Sequence, residues 1–361
     1  MSGGVGENRM QRIRVTASRT YDVCVQEGLL ARAGACVAGV CRASAAALIS
    51  DETVFALYGE TVKASLEAAG FRVVCFLFPA GESQKNLTTY GEILHFLAAC
   101  RLKRSDVIVS LGGGVVGDIA GFAASTYLRG LSYVQIPTTL LSAVDSSVGG
   151  KTAINLDSAK NQVGTFYQPA LVLCDPLALR SLPEQSYREG CAEAIKYGVM
   201  GDERFFSELL DTPVCEQLAH VIAHCVMIKR DCVAADEFDL GNRRLLNLGH
   251  TIGHAVESCS RYTVSHGYAV AIGMTMITRA AWKRNICKEE TLDRLCAILE
   301  RYGLPTETEY TADALYEAAR SDKKISASTL ELVLPEDIGR CRLEQIALTE
   351  FPAWLRDGGA R

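Results

Sequence analysis

The chain is expected to fold as an α/β N-terminal domain with a mostly parallel, Rossmann-like sheet, followed by a mainly α-helical C-terminal domain. Three observations predict this. Short β-rich runs alternate with helical ones through the first half, the pattern that builds a parallel sheet with helices on both faces. One of those strands runs into a glycine-rich turn and then an apolar helix. Beyond about Arg180, long segments of helical period succeed one another with short connections. At 361 residues the chain exceeds the size at which one core stops growing, so two domains are expected, 1–180 and 181–361.

Residues 13–15 and 21–25 read as strands, and so does 45–49, ahead of a helical 54–69 and a strand at 72–76. Residues 90–100 are helical, 107–111 form a buried strand, and 132–136 and 171–174 complete the sheet. Ligands of such sheets bind at the carboxyl ends of the strands. The second half is helical at 184–200, 214–233, 245–260 and 269–284, with 330–334 as its one strand. No repeat, low-complexity tract or linker intervenes, so the domains are expected to pack directly and leave a cleft.

Composition narrows the function. Hydrophobic residues make up 48% of the chain, enough for a large core, and the net charge of −5 argues against a nucleic-acid or anionic-membrane surface. An anionic substrate must then meet a local cluster of Lys and Arg. The fourteen cysteines include no CxxC pair and no apolar signal-like run follows the N-terminal charges, which together point to a reducing cytoplasm. Cys24, Cys75, Cys174 and Cys225 sit in apolar runs as small core residues. No stretch of eighteen uncharged apolar residues occurs, so no membrane span is expected.

His250 and His254 are one helical turn apart, and His266 follows in Ser265-His266-Gly267. Residues at i and i+4 share a helix face, and imidazole is a common zinc ligand, so the pair reads as metal-binding and calls for an oxygen donor from elsewhere. Thr251 stands where a zinc protease would carry its glutamate, which excludes that chemistry. His220 and His224 have the same spacing, but they lie off the apolar stripe of Leu218, Val221, Ile222 and Cys225 and lack an evident third ligand.

The run Asp106-Val107-Ile108-Val109-Ser110-Leu111 leads into Gly112-Gly113-Gly114-Val115-Val116-Gly117-Asp118, whose helix-start amides can cradle a pyrophosphate. Gly112, Gly114 and Gly117 satisfy G-x-G-x-x-G, yet no acid lies between Asp118 and Asp145 to take a ribose, so the turn is not the usual dinucleotide fingerprint. Residues 105–156 hold only Asp106, Asp118, Arg129, Asp145 and Lys151 as charged groups, where average composition would give about eleven. Charge in so apolar a stretch is costly without partners, so Asp118, Asp145 and Lys151 are expected to face a ligand or one another. Gly150-Lys151-Thr152 fails as a P-loop because Asp145 occupies the first glycine position, and Lys151 reads as an anion contact.

Taken together, Gly112 to Asp118, Pro137-Thr138-Thr139-Leu140-Leu141, Asp145 to Thr152, Lys160-Asn161, Ala192-Glu193-Ala194-Ile195-Lys196, Asn247 to His254 and His266-Gly267 closely resemble the 3-dehydroquinate synthase family, over residues 21–334. The resemblance implies a cytoplasmic, homodimeric enzyme of the shikimate route that uses NAD and Zn2+, with Co2+ as an alternative metal. It would convert a heptulosonate phosphate, a small phosphorylated sugar acid, to 3-dehydroquinate and phosphate. The implied chemistry is transient oxidation by NAD, phosphate elimination, re-reduction, ring opening and aldol closure, with metal ligation acidifying the reacting hydroxyl.

Carried over by position, the resemblance implies Glu193, His250 and His266 as metal ligands, and gives His254 to proton movement beside the metal. It assigns Asp51, Glu82, Lys85, Gly113, Gly114, Val115, Asp118, Thr138, Thr139, Ser181 and Leu182 to NAD. To the substrate pocket it assigns Arg129, Asp145, Lys151, Lys160, Asn161, Lys196, Lys229, Arg243, Asn247 and one of Lys323 and Lys324, with Asp145, Lys151 and Lys160 also reaching NAD. This is the cationic cluster that an acidic protein needs for a substrate bearing carboxylate and phosphate. The chain departs from the family at Ala159, Tyr268 and Asp239, where glycine, glutamate and glutamate are common. The rivals are another sugar-phosphate cyclase, a metal-dependent glycerol or glycerol-phosphate dehydrogenase, and a silent nucleotide-binding regulator. The last is disfavoured by the intact Glu193, His250, His254 and His266.

Overall fold

The computed structural model describes residues 9–156, 159–320 and 328–361. They form two compact units. The first takes the described residues up to Pro183 together with Leu218–Phe238, and the second takes Glu184–Gln217 and the described residues from Asp239 onward.

The first unit is built on a seven-stranded sheet. Its strands are β1 (Gln11–Val15), β2 (Tyr21–Val25), β3 (Ala45–Asp51), β4 (Arg72–Phe78), β5 (Val107–Gly112), β6 (Ser132–Pro137) and, after the hairpin β7 (Lys151–Leu156) and β8 (Ala159–Phe166), β9 (Leu171–Cys174). The order is β1-β2-β9-β6-β5-β3-β4, and every pairing is parallel except β1 with β2. Strands β3 and β5 are buried throughout, as largely apolar runs covered on both faces must be. One core, with Leu48, Val109 and Val134, lies on one face; the other, with Ile49, Ile108 and Ile119, lies on the opposite face. Cys24 and Cys174 are buried in this unit and Cys75 is half-buried; all are free thiols.

All the strands expected in this half are present. The β7–β8 hairpin was not expected, because its Lys, Thr, Asn and Gly residues hide a two-residue period. A further difference is the helix Leu218–Ala235, which packs on β1 and β2 within the first unit. Its buried Leu218, Val221, Ile222, Cys225 and Val226 form the stripe that drives this docking.

The second unit is mainly helical. Its helices include Glu184–Gly201, Glu203–Asp211, His250–Cys259, His266–Lys283, Glu289–Arg301 and Ala312–Arg320. The expected segment 245–260 is two pieces: a 3-10 turn Asn242–Asn247 and then the α-helix from His250, separated by Gly249 at φ +77°. Strand β10 (Thr329–Asp337) has an antiparallel partner, β11 (Arg340–Ala347), which the sequence did not suggest because Arg340, Arg342, Glu344 and Gln345 fill half its positions with polar side chains. No described helix is long and apolar enough to cross a membrane.

Candidate metal centre and nucleotide cradle

Three helices of the second unit assemble one cluster. Glu193 and Lys196 lie on Glu184–Gly201, while His250 and His266 each open a helix. Gly267 fixes the last of these, since a Cβ there would lie 2.4 Å from Glu189 Cα and 2.6 Å from its carbonyl oxygen. Only a glycine lets the backbone behind His266 approach the helix that carries Glu193. Gly249 does the same for His250, its absent Cβ lying 2.7 Å from the Val270 carbonyl oxygen.

Glu193 is fully buried, and its Oε1 lies 3.6 Å from His250 Nε2 and 3.4 Å from His266 Nε2. Donors held about 2.0–2.2 Å from a tetrahedral ion stand about 3.3–3.6 Å from one another. One carboxylate and two imidazoles, with donor atoms all within 4.8 Å, therefore fit a divalent cation in both spacing and chemistry. The His250 tautomer suits this role. Its Nδ1 lies 3.0 Å from the Leu248 carbonyl oxygen, an acceptor only, so the hydrogen sits on Nδ1 and the Nε2 lone pair points toward Glu193. Lys196 Nζ, equally buried, lies 2.5 Å from Glu193 Oε2.

His254 stands beside this cluster, its ring centroid 5.6 Å from that of His250 and 6.1 Å from that of His266. Glu257 was not singled out in the sequence. It is buried, and its Oε2 lies 3.3 Å from His266 Nδ1. It follows His250 by seven residues and His254 by three, so the period that reveals the histidine pair also places it on their face. Burial opposes a charge on His266, but Glu193 and Glu257 outweigh it and lift the imidazole pKa to about 10. Arg243 is almost fully buried and Asn247 half-buried in the turn that precedes His250. Tyr268, a departure from the family pattern, has its hydroxyl against the Arg188 guanidinium.

The first unit holds a second constellation, at the carboxyl edge of its sheet. Strand β5 ends at Gly112, and the helix Gly114–Thr126 begins after Gly113 with its first amides unpaired within the helix. A Cβ on Gly113 would lie 3.0 Å from Thr139 Cγ2, and one on Gly114 would lie 3.3 Å from Ser146 Oγ. Thr138 Oγ1 and Ser146 Oγ are buried with no hydrogen-bond partner among the described residues. Helix-start amides beside two waiting hydroxyls, in a space that side chains on the glycines would fill, fit an anionic group such as a pyrophosphate.

Asp118, one turn into the helix, accepts a hydrogen bond from Lys85 Nζ, which also donates to Asn161 Oδ1 at 2.6 Å. Burial pushes the Asp118 carboxyl above its usual range, against the pull of Lys85. Lys229 Nζ donates to Asp145 at both the carboxylate (2.7 Å) and the carbonyl oxygen (2.6 Å). Glu82 accepts from Asn155 Nδ2 at 2.8 Å. Asp51 ends β3 and caps the Val54 amide at 2.9 Å. Ser181 Oγ lies 2.5 Å from Tyr58 Oη, and Leu182 follows. Val115 is half-buried in the helix's first turn, Lys151 opens β7 in an exposed position, and Lys160 is half-buried in β8.

Arg129 is not brought to the glycine turn. It is exposed beyond the other end of the helix Gly114–Thr126, roughly 20 Å along its axis, because that helix runs from the carboxyl edge of the sheet to the opposite edge. Lys323 and Lys324 lie outside the described residues. The His220 and His224 rings are 5.8 Å apart, and neither belongs to a three-ligand group among the described residues.

Known proteins share this architecture. The 2-epi-5-epi-valiolone synthase of Streptomyces hygroscopicus subsp. jinggangensis 5008, solved with NAD+ and Zn2+ bound, superposes with a TM-score of 0.85 at 30% identity, covering 96% of this chain and 99% of that one. A 2-deoxy-scyllo-inosose synthase complexed with carbaglucose-6-phosphate, NAD+ and Co2+ gives 0.83 at 25% identity, covering 96% and 100%. The fold places the chain in this class of synthases. Residues 75–189 match the 3-dehydroquinate synthase N-terminal family and residues 190–325 its C-terminal counterpart. The 3-dehydroquinate synthase of Streptococcus suis (strain 05ZYH33) is 45% identical over 343 residues, which are 93% of this chain and 97% of that protein. The chain belongs to the 3-dehydroquinate synthase family.

Proposed function

We propose that the chain converts 3-deoxy-D-arabino-heptulosonate 7-phosphate to 3-dehydroquinate and phosphate, with Zn2+ or Co2+ held by Glu193, His250 and His266 and with NAD at the β5 glycine turn. The observation that carries this reading is the Glu193–His250–His266 cluster, inside a chain 45% identical to a 3-dehydroquinate synthase. A sibling synthase acting on another sugar phosphate is the weaker alternative, since identity to that class is 25–30%.

Glu193, His250 and His266 would hold the cation, which would supply Lewis acidity toward a substrate hydroxyl, and the β5 glycine turn would hold NAD, which would supply reversible hydride chemistry. The chain's own residues do the rest. Gly113, Gly114, Val115 and the Thr138 hydroxyl hold the anionic part of the nucleotide, with Asp51, Glu82, Lys85, Asp118, Thr139, Ser181 and Leu182 around it. Lys151, Lys160, Asn161, Lys196, Lys229, Arg243 and Asn247 bind the carboxylate and phosphate of the substrate, with Asp145 orienting Lys229. His254, outside the ligand set, moves a proton at a substrate hydroxyl. The first unit thus serves as nucleotide-binding domain and also supplies Lys151, Lys160, Asn161 and Lys229 to the substrate, while the second carries the metal ligands with Lys196, Arg243 and Asn247. The same family likeness supports a cytoplasmic homodimer.

Phosphate release from the heptulosonate phosphate tests the reading. The expected result is release that requires a trace of NAD, stops on chelation, and leaves no accumulated NADH. Stoichiometric NADH would replace it with a dehydrogenase.

A further inference from the structure

His266 has a carboxylate at each ring nitrogen: Glu193 Oε1 is 3.4 Å from Nε2, and Glu257 Oε2 is 3.3 Å from Nδ1. We infer that Glu257 is the positioning residue of the metal centre: it accepts the Nδ1 hydrogen of His266, fixes the tautomer that exposes the Nε2 lone pair, and so sets metal affinity without ligating. The inference rests on the metal-centre reading above.

The argument starts from what a neutral imidazole can do. One nitrogen carries hydrogen and the other a lone pair, and the acceptor beside the first decides which is which. For His250 the acceptor is the Leu248 carbonyl, two residues away in the chain. His266 opens its helix directly after Ser265, and its Nδ1 faces a side chain from a different helix. Glu257 reaches it from the last turn of His250–Cys259 with its side chain only about 5% exposed. A carboxylate so buried is costly unless it is hydrogen-bonded to a charged or polar partner, and His266 supplies one. A charged acceptor also raises the basicity of the opposite nitrogen, which strengthens its bond to a cation.

Glu257 also groups with His254 and His266 in an arrangement that could hold an ion by itself. That arrangement and the primary one share His266. A neutral His266 has one lone pair to offer, so it serves one of them; both sets offer one buried carboxylate and two imidazoles, and the metal-centre reading above takes the Glu193 set, in which the Leu248 carbonyl at His250 Nδ1 turns His250 Nε2 to the site.

The test uses Co2+ as probe on the metal-free full chain, with affinity from chelator competition and the visible spectrum of the bound ion as a readout independent of turnover. Wild type is expected to bind one ion. Glu257→Gln keeps an acceptor but loses the charge, and is expected to bind one ion 10–100-fold more weakly, with a shifted spectrum and little change in the melting of the apoprotein. Glu257→Asp, which restores the charge, is expected to recover part of the affinity; it also serves if the Gln variant does not fold. Unchanged affinity and spectrum in both variants would overturn the positioning role while leaving the metal centre standing. Two ions bound to wild type and one to Glu257→Gln would make Glu257 a ligand and also overturn it. Failure of wild type to bind Co2+ would remove the metal-centre reading itself, and the inference with it.

Discussion

Lys196 Nζ lies 2.5 Å from Glu193 Oε2 on the same helix, one residue position short of a full turn away, and both side chains are sealed from solvent. The ammonium is thus the counter-charge of the carboxylate that also faces His250 and His266. Breaking a buried pair from one side typically costs about 3–5 kcal/mol, because the remaining charge is left uncompensated. His266, protonated in the metal-free protein, still faces Glu193, so Lys196→Met is expected to destabilise that form by somewhat less than this in urea unfolding. Added Zn2+ should return most of the loss, by placing positive charge on Glu193 again; an equal loss with and without metal would separate Lys196 from the centre.

The raised pKa of His266 makes a signed prediction for the metal-free protein. Its folded value of about 10 lies above the ordinary 6.5, so its charge contributes stability that is fully present below pH 6.5 and is lost as pH rises through 10. Melting temperature in chelator should fall across that window, beyond any decline shown by His266→Gln. Zn2+ uptake near pH 8 should release about one proton, since the cation needs the neutral imidazole. A pH-independent melt in the window would contradict the arrangement.

Gly267→Ala tests how closely the helices approach. A methyl group there meets Glu189 backbone atoms at 2.4–2.6 Å, which no side-chain rotation relieves, so the start of the His266 helix must move away from Glu193. Overpacking of this kind costs about 1–3 kcal/mol. Metal affinity should fall with stability, as chelator competition would report; Gly39→Ala, which meets nothing within 4 Å, is the control.

In the first unit, Thr138→Val separates binding from folding. The Thr138 hydroxyl is buried without a partner among the described residues, so an isosteric methyl should leave stability unchanged or slightly raised. NAD affinity should fall about tenfold, the effect of losing one hydrogen bond of about 1.4 kcal/mol. Calorimetry that found NAD binding unaltered would take Thr138 out of the cradle.

Much of this was legible in the chain, and the gaps have physical causes. Strands β3, β5 and β6 announce themselves because strands covered on both faces are predominantly apolar, here with only Ser, Gln and a terminal Asp among them. The β7–β8 hairpin and β11 carry Lys, Arg, Asn and Glu on exposed positions, and their two-residue period is lost in polar sequence. At the candidate metal site, the His250–His254 spacing marks the helix face but not which ring meets a carboxylate, since Glu193 arrives from a helix 57 residues earlier. Glu257 could have been found from spacing alone. Its role could not, because that depends on where the next helix places His266.

Metal content of two purified single variants tests the central claim most directly. His250→Ala should lose the bound ion, whereas His254→Ala, one turn further along the same face, should keep a full equivalent and lose turnover. Equal metal loss in both, or retention in both, would contradict a centre built from Glu193, His250 and His266.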